Sequence, residues 1–135
     1  FYTPCYITFI DDGEVSDHPI RLFHGSADDY VPVEPCQEYV KRLQKAGKDV
    51  QLVEYPEAYH VFDMSAIKAP IRLPEAQTTR NCRREENPAG QIINSQTKQP
   101  GPCTERGATL AYNAHAHSES LKAVKEFLTV TFKLK

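Results

Sequence analysis

The chain has 135 residues, 40% hydrophobic and 25% charged, an ordinary globular composition and enough for one domain with a modest core. Sixteen Lys plus Arg against eighteen Asp plus Glu leave a formal charge of −2, which argues against a nucleic-acid groove or an anionic membrane surface as partner. The longest apolar stretches are strand-sized, short of the roughly 20 residues of a membrane span, and no charged-then-apolar leader precedes them.

The chain starts with Phe1 in the apolar run Phe1-Tyr2-Thr3-Pro4-Cys5-Tyr6-Ile7, which reads as a first strand and as a start cut from something longer. Ile20-Arg21-Leu22-Phe23-His24, ended by Gly25, reads as a mostly buried strand. The loop Gly25 to Pro32 is rich in turn formers, and Pro32 and Pro35 prepare a helix start. Cys36, Tyr39, Val40 and Leu43 then fall at i, i+3, i+4 and i+7, the stripe of a helix packed on one side. Glu34 and Glu38 near its N-terminus, Lys41, Arg42 and Lys45 near its C-terminus, and Gly47 as the stop agree with that reading. Val50-Gln51-Leu52-Val53-Glu54-Tyr55 is β-prone and stopped by Pro56. Strand, helix, strand predicts a right-handed crossover between parallel strands, so the loops after both strands share one sheet edge. Asp28 and His60 lie in those two loops.

Residues 74–107 are mostly polar, with Asn87-Pro88 and Pro100-Gly101-Pro102 and no apolar period, and are predicted to form one long insertion loop. Asn113 is a fair N-cap for a last helix running to about Phe132, with Ala114, Leu121, Val124, Phe127, Leu128 and Thr131 on the side that covers the sheet. The spacing of Cys5, Cys36, Cys82 and Cys103 matches no zinc pattern, and no metal is expected. Four cysteines allow two disulfides in three pairings, among which the sequence does not decide. Cys5 with Cys36 and Cys82 with Cys103 is preferred because the second pair brackets the polar loop, whose closure would contribute about 3 kcal/mol. Four reduced thiols in a cytosolic enzyme are the alternative, so paired cysteines would mean a periplasmic or secreted chain and free ones a cytoplasmic chain.

A carboxylate after one parallel strand and a histidine after the next are what an acid–histidine pair requires. Asp28 would accept a hydrogen bond from one ring nitrogen of His60 and fix its tautomer, leaving the other nitrogen to move protons. An Asp in a turn and a His in a loop also occur for purely structural reasons. The segment Pro19-Ile20-Arg21-Leu22-Phe23-His24-Gly25-Ser26-Ala27-Asp28-Asp29-Tyr30-Val31-Pro32 resembles the strand and acid loop of dienelactone hydrolase-like proteins, and Tyr55-Pro56-Glu57-Ala58-Tyr59-His60-Val61-Phe62 resembles their histidine loop. The similarity covers residues 1–64 and resumes in the last helix.

The resemblance implies the C-terminal part of a single α/β-hydrolase domain over residues 1–135. Its fold class is α/β, a three-stranded parallel sheet remnant beginning at Phe1, with flanking helices and the 74–107 polar insertion. It makes Asp28 the triad acid, His60 the general base and Asp29 the spare. It also implies an enzyme that hydrolyses a small-molecule carboxylic ester or lactone without a cofactor. The family's nucleophile sits in glycine, any residue, Cys or Ser, any residue, glycine, and none of the six glycines here frames such an elbow. This chain alone is therefore expected to be inactive, and a non-catalytic binding or relic module is the alternative. An unpaired first strand would favour self-association through the exposed sheet edge.

Tyr30 and Tyr59 flank the acid and the histidine and are candidates for the substrate pocket, as against simply covering the sheet edge. His24 ends its strand beside the acid loop, where it either supports the site through a hydrogen bond or is packed structurally. His115 and His117, at i and i+2 on a helix, face different directions and read as solvated. Arg80, Arg83 and Arg84 read as solvated surface.

Overall fold

The computed structural model describes residues 1–135 and contains small sheets and two helices. In chain order the elements are β1 (Ile7–Thr8), β2 (Ile20–Gly25), α1 (Glu34–Lys45), β3 (Val50–Tyr55), β4 (Ile71–Thr78), β5 (Arg84–Glu86), β6 (Ile92–Asn94), β7 (Glu105–Leu110) and α2 (Ala114–Phe132). The predicted crossover is present: β2 and β3 pair in parallel from Ile20 opposite Val50 to Gly25 opposite Tyr55. Alternate side chains of a strand point to opposite faces, and here each face meets a different helix. Leu22 and Val50 pack with Cys36, Val40 and Leu43 of α1, whereas Phe23 and Tyr55 join Ala58, Phe62 and Ala116 of α2. Fully burying a side chain such as Leu43 contributes about 1.5–3 kcal/mol, which outweighs the missing side-chain cap at Val33. The other end of α1 stops as predicted, with Gly47 at φ +80° and its N–H donating to the Gln44 carbonyl.

The expected third parallel strand at the N-terminus is not formed. Only Tyr2 N–H reaches β2, donating to the Phe23 carbonyl at 3.1 Å, because Tyr2 turns to φ +46° and Pro4 has no N–H to continue a ladder. The chain instead forms the short β1, which pairs in parallel with β5 in a β1-β5-β6 sheet. The Cys5–Cys36 disulfide fastens this N-terminal segment to α1.

Residues 74–107 are not one irregular loop. They hold most of β4, the β5–β6 hairpin and the start of β7, and β4 pairs antiparallel with β7. No apolar period announces these strands because most side chains of β4 are exposed. The ladder is further disguised by Pro74, which cannot donate and lies within the register shift between Leu73 and Gln77. The second disulfide, Cys82–Cys103, closes this arm.

α2 begins where expected, with Asn113 Oδ1 accepting from Ala116 N at 3.0 Å. Its buried face differs from the predicted one. Ala116 and Ser120 are buried and Val124 and Phe127 half-buried, while Leu121 is 58% and Leu128 37% exposed. The small residues win because they let the start of the helix approach Phe62 and Tyr55 closely. No helix is long and apolar enough to cross a membrane.

Candidate functional site

The crossover ends in two loops stitched to each other. Ser26 N–H donates to the Tyr55 carbonyl and Ala27 N–H to the Ala58 carbonyl, both at 3.0 Å, and Glu57 N–H donates to Ser26 Oγ at 3.1 Å. Their close approach depends on Gly25, where a Cβ atom would lie 2.1 Å from the Ala58 carbonyl oxygen.

The stitching places Asp28 against His60. Asp28 is 6% exposed; its Oδ1 accepts from the N–H groups of Tyr30 (2.9 Å) and Val31 (2.8 Å), and its Oδ2 lies 2.8 Å from His60 Nδ1. A carboxylate only accepts hydrogen bonds, so Nδ1 carries the ring proton and Nε2 presents its lone pair. The His60 side chain is 17% exposed, and no protein group bonds Nε2. Val61, immediately after it, sits at φ +58°, a conformation a β-branched residue adopts only when its surroundings impose it. Those surroundings are the bonds from Ala111 N–H to the His60 carbonyl (3.3 Å) and from Asn113 N–H to the Phe62 carbonyl (2.9 Å).

His24 lies fully buried behind the acid. Its Nε2 is 2.7 Å from the Val31 carbonyl and 3.5 Å from Asp28 Oδ2. The carbonyl can only accept, so Nε2 carries the proton, and the buried Nδ1 has no partner. Asp29 is committed elsewhere: its carboxylate accepts from Thr109 N–H (2.7 Å), Thr109 Oγ1 (2.9 Å) and Arg72 Nη1 (2.7 Å). It ties the acid loop to the arm, a role the sequence did not disclose.

Of the two tyrosines singled out from the sequence, Tyr30 meets the His60 ring edge-on at 4.8 Å between centroids. Tyr59 makes no ring contact with His60. The second ring against His60 belongs to Tyr2, also at 4.8 Å, and no local pattern marked it. Arg80 is not simply solvated. It bonds Glu105, the Asp29 carbonyl and the Arg106 carbonyl, and together with Asn81 it holds the Glu105 carboxyl below its ordinary range. His117 faces the Tyr112 hydroxyl at 3.3 Å. Under the site, burial and, secondarily, Glu119 push the Tyr55 phenol above its ordinary range. No group of three or more His, Cys, Asp or Glu side chains is placed to hold a metal ion.

A model of the prolyl oligopeptidase family matches residues 7–74, half of the chain, a span that contains β2, α1, β3, Asp28 and His60. A Bacillus subtilis (strain 168) protein named as the uncharacterized peptidase YuxL is 38% identical over 42 residues, 31% of this chain and 6% of that protein. Among solved structures, the native form of the thermophilic esterase Est2 from the planctomycete Thermogutta terrifontis aligns with a TM-score of 0.42 and 20% identity, covering 82% of this chain and 24% of that one. The chain thus spans a small part of the length of either relative.

Proposed function

Since the chain belongs to the prolyl oligopeptidase family, and with it to the hydrolases of α/β-hydrolase type, we propose that it supplies the acid and the general base of an acyl-transfer site whose nucleophile comes from outside these residues. The observation that carries the reading is the 2.8 Å contact between Asp28 Oδ2 and His60 Nδ1, with Asp28 Oδ1 already held by two loop N–H groups. Held on both oxygens, the carboxylate fixes the tautomer that leaves Nε2 free to accept a proton.

In this mechanism His60 Nε2 takes the proton of a Ser or Cys nucleophile as that group attacks the substrate carbonyl carbon. The resulting imidazolium is stabilised by Asp28 and then protonates the leaving alcohol as the tetrahedral intermediate collapses to an acyl-enzyme. Water attacks next, His60 Nε2 again takes the proton, and as the second intermediate collapses His60 returns that proton to the departing Ser or Cys, releasing the acid product. No cofactor takes part. The substrate we assign is a carboxylic ester or lactone, following the likeness of the acid and histidine loops to dienelactone hydrolases. A second reading, cleavage of a peptide bond, is favoured by the family match and uses the same steps with an amine as leaving group. Tyr30 and Tyr59 are proposed to contact substrate. The two disulfides fit folding in an oxidising compartment, periplasmic or secreted.

The test uses the chain joined to its nucleophile-bearing segment, assayed on activated esters, lactones and peptidyl anilides. The reading expects turnover that falls by roughly 10⁶-fold in His60→Ala and by roughly 10⁴-fold in Asp28→Asn. Which substrate is cleaved decides between ester and peptide. Full activity in His60→Ala would sink the proposal.

A further inference from the structure

The N-terminal segment does more than begin the chain. Tyr2 sits at φ +46°, in the left-handed region that a non-glycine residue occupies only when several contacts fix it. Those contacts come from β2 and from the histidine loop. The Tyr2 N–H donates to the Phe23 carbonyl, its hydroxyl donates to the Asp63 carboxylate, and its ring meets Phe62 edge-on at 5.3 Å. The same ring lies tilted against the His60 imidazole at 4.8 Å, and Tyr30 meets that imidazole from its own loop at the same distance. His60 is therefore bounded by Asp28 and two tyrosine rings, with Nε2 left open.

Three residues after Tyr2, Cys5 is bonded to Cys36, which is fully buried in α1. Three residues span at most about 10 Å when extended, so the disulfide keeps Tyr2 within that reach of Cys5 even when its own contacts open. We propose that Tyr2 is a positioning residue for His60 and that the Cys5–Cys36 disulfide is its tether. The inference rests on reading His60 as the general base. The two rings restrict rotation of the imidazole about its Asp28 bond.

The test is nuclear magnetic resonance of the His60 ring in the oxidised 135-residue chain, reading the ring-current displacement of its carbon-bound protons and the exchange of its Nδ1 proton with water. Exchange protection of the β2 and β3 amides serves as the measure of folding. In Tyr2→Leu the displacement should fall to the share left by Tyr30 and Nδ1 exchange should quicken about three- to tenfold, the weight of one aromatic pair. Tyr2→Phe, which keeps the ring, should restore most of both. Cys5→Ala, which leaves every packed ring in place, should give a partial loss. Unchanged His60 signals in Tyr2→Leu, or Tyr2→Phe as disturbed as Tyr2→Leu, would overturn the proposal. Should Tyr2→Leu lose its β2 and β3 protection, Cys5→Ala decides: a loosened His60 supports the tether, an unaltered one refutes it. Asp28→Asn separates this from the function itself, because an Nδ1 proton indifferent to Asp28 defeats the acid–histidine reading whatever Tyr2 does.

Discussion

The crossover β2-α1-β3 and the arm from β4 to β7 carry similar amounts of secondary structure, and each has a disulfide and ion pairs, but only the crossover has apolar clusters. In the crossover Leu22, Cys36, Val40, Leu43 and Val50 bury one another on one face of the sheet, and Phe23, Tyr55, Ala58 and Phe62 do so on the other. Between residues 71 and 110 only Thr78, Cys82, Ile93, Gly107 and Ala108 are buried. The arm relies on its β4–β7 ladder, the Cys82–Cys103 disulfide and the ion pairs Arg72–Asp29, Arg80–Glu105, Lys98–Glu85 and Arg106–Glu75. Apolar burial is indifferent to redox state and to moderate pH, whereas disulfides and exposed ion pairs are not. The acid–histidine pair stands on the first construction. The second reaches it where Asp29 binds Thr109, Arg72 and Arg80, and where Leu110 and Ala111 run beside His60.

The strongest way to break the comparison is a lesion in the crossover. Gly25→Ala would place a methyl group 2.1 Å from the Ala58 carbonyl oxygen and 2.6 Å from its carbon, both backbone atoms that cannot rotate aside. Overpacking commonly costs about 1–3 kcal/mol, and forcing two loops apart belongs at or beyond the upper end of that range. Urea unfolding should show the loss as a lower midpoint, with the His60 Nδ1 proton no longer protected. A midpoint equal to the parent's would mean that the two loops are not held as tightly as their hydrogen bonds indicate.

The arm's equivalent is Cys82→Ala with Cys103→Ala. The bridge spans 21 residues, and opening a loop of that size costs about 3 kcal/mol in the chain-entropy model. The loss should be local: amides of β5, β6 and β7 should exchange faster, while those of β2 and β3 keep their protection. Equal loss in both regions would show that the arm and the crossover unfold as one unit.

These differences explain what could be read from the sequence. The crossover was legible because burial leaves a period: Cys36, Val40 and Leu43 at helical spacing, Gly47 as the stop, and two apolar strands ended by Gly25 and Pro56. Asp28 and His60 were legible because loops after parallel strands share an edge. β4 and β7 were not, since a ladder of exposed Arg72, Glu75, Gln77 and Arg106 has no apolar alternation. The N-terminal run looked like a strand because Phe1, Tyr2 and Tyr6 are β-prone, yet the turn at Tyr2 is fixed by Phe23, Phe62 and Asp63, all distant in sequence. The same holds for α2, where Leu121 and Leu128 promised a packing face but the close approach of Ala116 and Ser120 chose another.

The smallest effect sharpens the comparison through pH. The Glu105 carboxyl is held below its ordinary value of 4.5 first by the hydrogen bond from Arg80 and then by that from Asn81. A folded-state value below the unfolded one means that, as pH falls, the unfolded chain takes up this proton first. Whatever stability Glu105 contributes is therefore complete above about 4.5 and disappears as pH drops through its lower folded value. The group is solvent-exposed, so the contribution is small and further screened by salt. Just before β2, Asp17 is a group of the same kind, held low by Lys48 of the crossover, and Asp17→Asn removes it. In that background, amide protection at β7, taken relative to the intrinsic exchange rate at each pH, should fall on acidification below 4.5 more than protection at β2 and β3. Glu105→Gln should flatten the β7 response while leaving β2 and β3 unchanged. If Glu105→Gln kept the parent's pH dependence, Glu105 and its bond from Arg80 would not be the source of the arm's acid sensitivity.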